Sequence, residues 1–255
     1  MGKRLEKEQA KSRGEEMFPK LAEQRGRIHV IKDQLPTIFH AESHPPGEVH
    51  QALRDVFTAY RATLHTAYQS LLDRYEIQDA AIKVVGVGSV GTSCWVLLLM
   101  AGEQDPLFLQ VKEARASVLE AYAGKSAFPN HGQRVVDGYR RMQPASDMFL
   151  GWTRGPKRDF FLRQLRDMKI SAMVETFGQT EMDIYAGWCG RALALSHARS
   201  GNSAMLSGYM GKSDTFDQAI ATFSKAYADQ NEKDHAALDR AVREGQVKAV
   251  VEEES

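Results

Sequence analysis

The stretch VVGVGSVGTSC, residues 84–94, restricts the possible folds of this chain more than any other part of the sequence. Its glycines Gly86, Gly88 and Gly91 have the spacing G-x-G-x-x-G. That spacing occurs in two unrelated nucleotide-binding folds. In one, the loop joins a strand to a helix whose N-terminus binds a dinucleotide pyrophosphate. In the other, it turns a β-hairpin over the phosphates of ATP, so the residues after Gly91 decide between the two.

The segment after the third glycine reads TSCWVLLLM, residues 92–100, and is rich in apolar, aromatic and β-branched residues. It has no polar face at helical spacing, so it predicts a strand and not a helix. A dinucleotide site requires a helix there, because the pyrophosphate rests on the free N–H groups of the helix N-terminus. The sequence therefore favours the hairpin, and an NAD-dependent oxidoreductase becomes a distant alternative.

A hairpin that covers ATP phosphates also requires a lysine on the next strand. Residues 107–112, LFLQVK, predict that strand after a turn at residues 102–106. Because side chains alternate along a strand, Lys112 faces away from Leu109 and Val111. Two interpretations stay open: Lys112 binds phosphate, or it is a solvated lysine on an edge strand beside an ordinary tight turn. On the first interpretation, the nucleotide-binding residues are Gly86, Gly88, Ser89, Gly91 and Lys112.

In a kinase, a carboxylate holds the phosphate-binding lysine in place. Glu113 follows Lys112 directly and therefore points to the opposite face of the strand. Glu120 and Asp137 lie in the segment beyond, which is predicted to be helical in parts. Either of these two is a candidate partner for Lys112, and the alternative for each is an ordinary surface carboxylate.

Phosphoryl transfer also requires a base or positioning aspartate and ligands for magnesium, in patterns such as H-x-D-x-x-x-x-N and D-F-G. Neither pattern occurs after Lys112. The segments LRDMK and HARSGN contain some of the required residue types, but neither completes a pattern. The spacing of His40 and His44 is that of two metal ligands only on a helix, which the following Pro-Pro pair disfavours. We therefore assign no catalytic residue and no metal ligand, and we expect no catalysis from the chain alone.

The composition excludes several classes of partner. The 33 basic and 33 acidic residues give a formal net charge of zero, so no long-range field attracts nucleic acid or an anionic membrane. The longest apolar run, from Cys94 to Ala101, is far shorter than the roughly 20 residues of a membrane-spanning helix. The charged N-terminus lacks the apolar segment of a secretory signal. We expect a cytoplasmic protein without nucleic-acid or membrane partners, and we expect Cys94 and Cys189 to be buried thiols.

The patterns along the chain predict an α+β fold. A small antiparallel sheet with the glycine hairpin precedes a helical C-terminal region. The predicted segments are a charged N-terminal segment with an extended connector at 1–47, the sheet region at 48–170, the helical region at 171–246 and an acidic tail at 247–255.

Individual elements follow from periodicity and turn signals. Apolar residues at helical spacing predict one long helix from Val49 to Tyr75, before the sheet. The Gly155-Pro156 turn predicts a second hairpin, between apolar stretches on either side of it. Capping signals predict helix starts near Thr180 and Ser213.

Several long blocks of the sequence resemble one bacterial family. The blocks are AIKVVGVGSVGTSCWVLLL, DPLFLQVKEA, NHGQRVVDGYRRMQPASDMFLGWTR, FFLRQLRDMK, ALSHARSGN, YMGKSDTFDQAI and YADQNEKDHAAL. The family is the domain-of-unknown-function family 2252 (DUF2252), and the resemblance runs from about Lys11 to Gln246. It implies a relation to the protein-kinase and aminoglycoside-phosphotransferase fold with an altered segment order. The sheet region would then be a kinase-like small lobe.

Two motifs of that family, G-D-x-H-x-x-N and D-x-N-D-F-D, resemble a catalytic loop and a metal-binding aspartate and precede its glycine loop. Neither occurs in this sequence, and Asn202 stands where the family is expected to have an aspartate. The resemblance therefore implies the C-terminal part of a member, incomplete relative to the full family fold, which binds ATP with magnesium at most. The expected partner is a separately encoded N-terminal half that carries the two motifs. The alternative is a non-catalytic binding module or a truncated gene product that binds no nucleotide.

Overall fold

The computed structural model describes residues 18–86, 91–103, 105–165 and 172–248. The chain forms two compact units, one that ends at Ser200 and one that begins at Gly201. Every strand of the described residues belongs to the first unit, and the described part of the second unit is helical. The glycine hairpin and Lys112 are therefore parts of the first unit.

The first unit begins with short elements that lie in the predicted extended connector. Helix α1 spans Phe18–Leu21, and strand β1 (Ala22–Arg25) pairs antiparallel with β2 (Ile28–Ile31). Strand β3 spans Ile38–Phe39 and pairs with the first long strand of the main sheet. The connector thus contributes strands to two sheets.

The main sheet has six antiparallel strands in the order β3-β4-β5-β6-β8-β7. Its long strands are β4 (Glu76–Lys83), β5 (Cys94–Met100), β6 (Pro106–Ala114), β7 (Gly151–Arg154) and β8 (Asp159–Gln164). The predicted three-strand meander and the later hairpin are both confirmed. Because β8 lies between β6 and β7, β6 is an interior strand with a neighbour on each side.

Four helices accompany this sheet. They are α2 (Gln51–Arg61), α3 (Thr66–Leu72), α4 (Glu120–Ala123) and α5 (His131–Met142). The prediction of one continuous helix before β4 is wrong, because that segment forms α2 and α3 with a break between them. The segment between β6 and β7 is helical in parts, as predicted.

Contacts with β7 and the residues just before it account for the break between α2 and α3. Thr63 Oγ1 donates to the carbonyl oxygen of Tyr60 at 2.7 Å and accepts from the backbone N–H of Trp152 at 3.1 Å. The hydroxyl of Tyr60 donates to the carbonyl oxygen of Phe149 at 2.6 Å. These partners lie far away in the sequence, so helical periodicity alone does not reveal where the helix ends.

The two faces of the sheet pack against different elements. Leu99 and Leu109 point to one face and share a core with residues of α2 and α3. On the other face, Ile31 of β2 packs in a second core, and Val136 of α5 packs in a third. Side chains from both faces of the sheet are therefore buried.

The two ends of the main sheet differ in composition. The glycine end is the end where β4 finishes and β5 begins, and it also holds the end of β6 and the β7–β8 turn. The opposite end, which we call the apolar end, contains Leu98, Leu99, Leu107 and Phe108, all of them buried. Lys112 pairs with Cys94 and therefore lies at the glycine end.

The C-terminal part is helical, as predicted. After a 3₁₀ turn at Val174–Thr176, the helices are α6 (Gln179–Ser200), α7 (Ser203–Met210) and α8 (Thr215–Arg243). The starts of α6 and α8 agree with the capping signals near Thr180 and Ser213. The Asn202 side chain caps α7, because its Oδ1 accepts from the backbone N–H of Met205 at 3.0 Å.

These three helices bury none of their described side chains. Cys189 on α6 is exposed, so the expectation of a buried thiol there is wrong, whereas Cys94 on β5 is buried as expected. The error arises because an apolar helix face indicates burial only where another element covers it. None of the helices in the described ranges combines the length and the apolarity that a membrane crossing requires.

Candidate functional site

Lys112 is held by an interior strand of the main sheet. Its register partners are Cys94 on β5 and Phe161 on β8. The interpretation of Lys112 as an edge-strand lysine is therefore wrong. The residue is partly buried, and within the described part of the chain its ammonium group makes no hydrogen bond or ion pair. Among the residues that the structure describes, the sheet thus holds a cation without an ion-pair partner close to the glycine hairpin.

Two more cations lie on the same face of the sheet as Lys112. Burial raises the pKa of the Cys94 thiol, and the charges of Lys112, Lys83 and Arg163 lower it in part. The register places all three cations on the face of Cys94, because Lys112 pairs with Cys94, Arg163 pairs with Gln110, and Lys83 follows the Ile82–Trp95 pair. We call Lys83, Lys112 and Arg163 the basic cluster. Gln110 lies between them and donates to Cys94 Sγ at 3.5 Å.

The two carboxylates predicted as partners of Lys112 have other contacts. Asp137 forms an ion pair with Arg141 one turn further along α5. Glu120 Oε1 accepts from the backbone N–H of Ser117 at 3.4 Å. The structure does not bring either of them together with Lys112. In the described residues Lys112 therefore pairs with neither of the two predicted carboxylates.

The structure describes the glycine hairpin up to Gly86 and again from Gly91. Gly88 and Ser89 lie outside the described residues, whereas Gly86 ends the first side and Gly91 begins the second. Gly91 has a φ of +75°, a conformation that other residues rarely adopt. Apart from its chain neighbours, no atom of the described residues lies within 4 Å of the position that a Cβ would take there. Backbone conformation, and not space, therefore favours glycine at position 91.

Glu113 organises a charged network at the base of this hairpin. Its carboxylate accepts from Arg115 Nε at 2.6 Å, from Arg158 Nη1 at 2.8 Å and from the backbone N–H of Ser93 at 2.9 Å. Burial alone would raise the pKa of Glu113, but these donors outweigh burial and hold it at about 2. The carboxylate therefore stays ionised, and Arg115 also donates to the carbonyl oxygen of Gly91.

Sequence reasoning placed Glu113 away from Lys112 but did not find this network. The i, i+2 spacing of Glu113, near the end of β6, and Arg115, just after it, was an available signal, because alternation in an extended segment brings such side chains to one side. Arg158 had no such signal. It belongs to the β7–β8 turn, which reaches Glu113 only because β8 pairs with β6.

A cavity of about 480 Å³ lies beside the network at the glycine end. Residues 113–116 at the end of β6, residues 154–159 of the β7–β8 turn and His131 at the start of α5 line it. We call it the turn cavity. Lys112 does not line it, because the cavity begins at Glu113 and continues past the end of β6. The glycine end therefore has two separate basic regions.

A buried carboxylate on β4 was missed from the sequence. Asp79 is fully buried and accepts from the backbone N–H groups of Ile31 at 2.6 Å and Gly47 at 2.9 Å. His40 bridges Asp79 and Asp33, with ring nitrogen distances of 3.0 and 2.8 Å. The described residues contain no group of three side chains suited to hold a metal ion. Asp79 therefore fastens the N-terminal strands to the main sheet.

The comparisons with known proteins give a single result. A family model described as an uncharacterized protein conserved in bacteria, DUF2252, matches residues 1–241 of the 255-residue chain. No curated protein and no solved structure matches this chain. The family match includes the main sheet, the glycine hairpin and the C-terminal helices up to most of α8. The family named from the sequence blocks is confirmed.

Proposed function

We propose a nucleotide-binding role for this chain, which belongs to the DUF2252 family of uncharacterized proteins conserved in bacteria. In this proposal, the phosphates of ATP, with magnesium, lie beneath the β4–β5 hairpin and against Lys112. The observation that carries it is the place of Lys112 on an interior strand beside the hairpin. Within the described residues, its ammonium group is not compensated by a carboxylate.

The order of elements supports a kinase-like small lobe. A glycine hairpin between β4 and β5 is followed by a lysine on β6 and then by α5, β7 and β8. Protein kinases place a glycine-rich hairpin, a lysine on the third strand and a helix in the same succession. We infer from this succession that Lys112 has the role of the kinase lysine, which contacts the α- and β-phosphates.

Charge supports the same assignment. The basic cluster places three cations, Lys83, Lys112 and Arg163, on the face of the sheet that carries Cys94. Hydrogen bonds from such groups to phosphate oxygens are charge-assisted and shorter than neutral ones. A polyphosphate with its magnesium ion would therefore find a complementary surface on this face of the sheet. Gly86 and Gly91, with Gly88 and Ser89, would cover it from the hairpin.

The proposed role is binding and not phosphoryl transfer by this chain alone. The sequence contains neither the catalytic-loop pattern nor the D-F-G pattern that supply a base and magnesium ligands. We propose that a separately encoded chain with the G-D-x-H-x-x-N and D-x-N-D-F-D motifs supplies these groups. Coexpression of such a chain and co-purification with this one would test the pairing directly.

The decisive experiment is calorimetric titration of the purified chain with magnesium-ATP. We expect saturable binding that Lys112→Ala weakens at least tenfold, since a hydrogen bond to a charged group contributes about 1.5 to 3 kcal/mol. Lys125→Ala is the matched control, because this substitution removes the same charge from an exposed lysine that is not part of the proposed site. Equal binding by Lys112→Ala and the unchanged chain would overturn the assignment. Absence of binding by a folded chain would instead favour a module that binds no nucleotide.

A further inference from the structure

We infer that the turn cavity is a second anion site, which binds a phosphate dianion, either free or carried by a small ester. It is separate from the site proposed at Lys112 and does not rest on it. The cavity lies at the end of β6, and its lining does not include Lys83, Lys112 or Arg163. The inference follows from the charge, the hydrogen bonding and the size of the cavity.

The lining of the cavity carries an excess of positive charge. Four cationic side chains line it, and two carboxylates oppose them, which leaves two positive charges uncompensated. The cations are Arg115, Arg154, Lys157 and Arg158, and the carboxylates are Glu113 and Asp159. A dianion is the ligand that balances this charge.

The two carboxylates hold the arginines in place without neutralising all of them. Asp159 accepts from Arg154 Nε and from the backbone N–H of His131, both at 2.8 Å. Burial would raise the pKa of Asp159, but these contacts outweigh it and lower the pKa. Glu113 holds Arg115 and Arg158 in the same way. The guanidinium groups are therefore fixed before a ligand arrives, which reduces the entropy that binding must offset.

Donors remain for a ligand after these contacts. A guanidinium group has five N–H bonds, and Arg158 uses only Nη1 in its contacts with Ser93 and Glu113. Lys157 is exposed and, within the described part of the chain, makes no hydrogen bond or ion pair. Arg158 and Lys157 therefore keep N–H groups for a ligand.

Phosphate fits this set of donors better than a carboxylate or a halide does. Arginine presents its N–H groups in a planar fork that matches two oxygens of one phosphate. Three arginines and a lysine around one cavity suit a tetrahedral group with several acceptor oxygens. A volume of about 480 Å³ also leaves room for the organic part of a small phosphate ester.

The test is calorimetric titration of the full chain with inorganic phosphate and with glycerol phosphate, at an ionic strength fixed with chloride. We expect saturable binding of one equivalent. Arg158→Gln should weaken it at least tenfold, as expected for a charge-assisted hydrogen bond. Lys157→Gln should weaken it several-fold, because Lys157 is exposed and its charge is screened. Lys125→Gln is the matched control and should change nothing. The probe that binds more tightly shows whether the phosphate is free or esterified.

Two comparisons separate this inference from the proposed function. Lys112→Ala should leave phosphate binding unchanged, and Lys157→Gln should leave magnesium-ATP binding unchanged. The inference is overturned if neither probe saturates, if Lys157→Gln and Lys125→Gln behave alike, or if Lys112→Ala abolishes phosphate binding. Arg158→Gln removes one of the two arginines that contact Glu113, so circular dichroism is used to check that this variant folds. If Arg158→Gln fails to fold, Lys157→Gln still tests the inference.

Discussion

The apolar end and the glycine end of the main sheet are built from the same strands but have different chemistry. At the apolar end, Leu98 and Leu99 are fully buried between layers on both faces. At the glycine end, Lys112 and Glu113 are only partly buried, and charged side chains surround them. Stability and ligand binding should therefore reside at opposite ends of the same strands. Substitutions can test whether the two properties separate, in order of decreasing effect.

The largest effect is expected at the apolar end. Leu99→Ala should lower the free energy of unfolding by about 3 kcal/mol, because a buried leucine loses both its transfer energy and its packing. Magnesium-ATP and phosphate affinities of the folded variant should not change. Urea denaturation and titration measure the two properties. Leu193, which is 59% exposed on α6, is the matched control, and Leu193→Ala should have almost no effect. A large loss of affinity in Leu99→Ala would mean that the two ends are coupled.

The second effect concerns a polar residue within the buried part of the sheet. Asp79→Asn should destabilise the fold by about 2 kcal/mol, because the amide has one acceptor oxygen where several donors converge. Urea denaturation measures the change, and Asp137→Asn on the surface of α5 serves as the control. Equal stability of the two variants would mean that backbone donors near Asp79 find other partners.

The third effect depends on pH and belongs to the glycine end. The folded-state pKa of Glu113 is about 2, below its ordinary value of 4.5. A depressed pKa stabilises the fold above the ordinary value and loses that contribution as pH falls towards 2. Glu113→Gln should therefore destabilise the chain by about 1.5 kcal/mol at pH 7, since the arginine partners are exposed and screened. Between pH 4.5 and 2, the free energy of unfolding of this variant should also fall less than that of the unchanged chain. An unchanged acid profile would contradict the assignment of the network.

The smallest effect tests the backbone of the hairpin. Gly91→Ala should destabilise the fold by about 1 kcal/mol, because the backbone of an alanine is strained at a φ of +75°. Gly138 on α5 also has open space at its Cβ position, but it lies within a helix. Gly138→Ala should therefore stabilise the chain by about 0.5 to 1 kcal/mol. Changes of the same sign in both variants would show that backbone conformation is not what distinguishes position 91.

Most strands of the main sheet were predictable from the sequence, because each one is a local pattern. Alternation predicted that Lys112 lies on the face of β6 that Leu109 and Val111 do not occupy. The structure confirms this, because both apolar residues lie in the core on the other face. The helix break at Thr63 was not predictable, because it depends on contacts with a strand that comes much later. Cys189 was misplaced because helical periodicity does not say whether a face is covered.

The candidate site was only partly predictable for the same reason. The lysine and the glycines are local features of the sequence, whereas the turn cavity requires the β7–β8 turn to lie beside the end of β6. No sequence pattern gives the strand order that produces this neighbourhood. Magnesium-ATP binding at Lys112 and the pairing with a chain that carries the catalytic motifs stay predictions.

The insertion of β8 between β6 and β7 also predicts an order of folding. Strands β4, β5 and β6 pair through short connections, whereas β8 reaches β6 only after α4 and α5 have been passed. Closing a longer loop costs more entropy, so local pairs form before distant ones. The glycine hairpin and Lys112 should therefore be in place before the turn cavity exists. We therefore expect the Lys112 side chain to reach its native position before the side chains of Arg163 and Arg158 do.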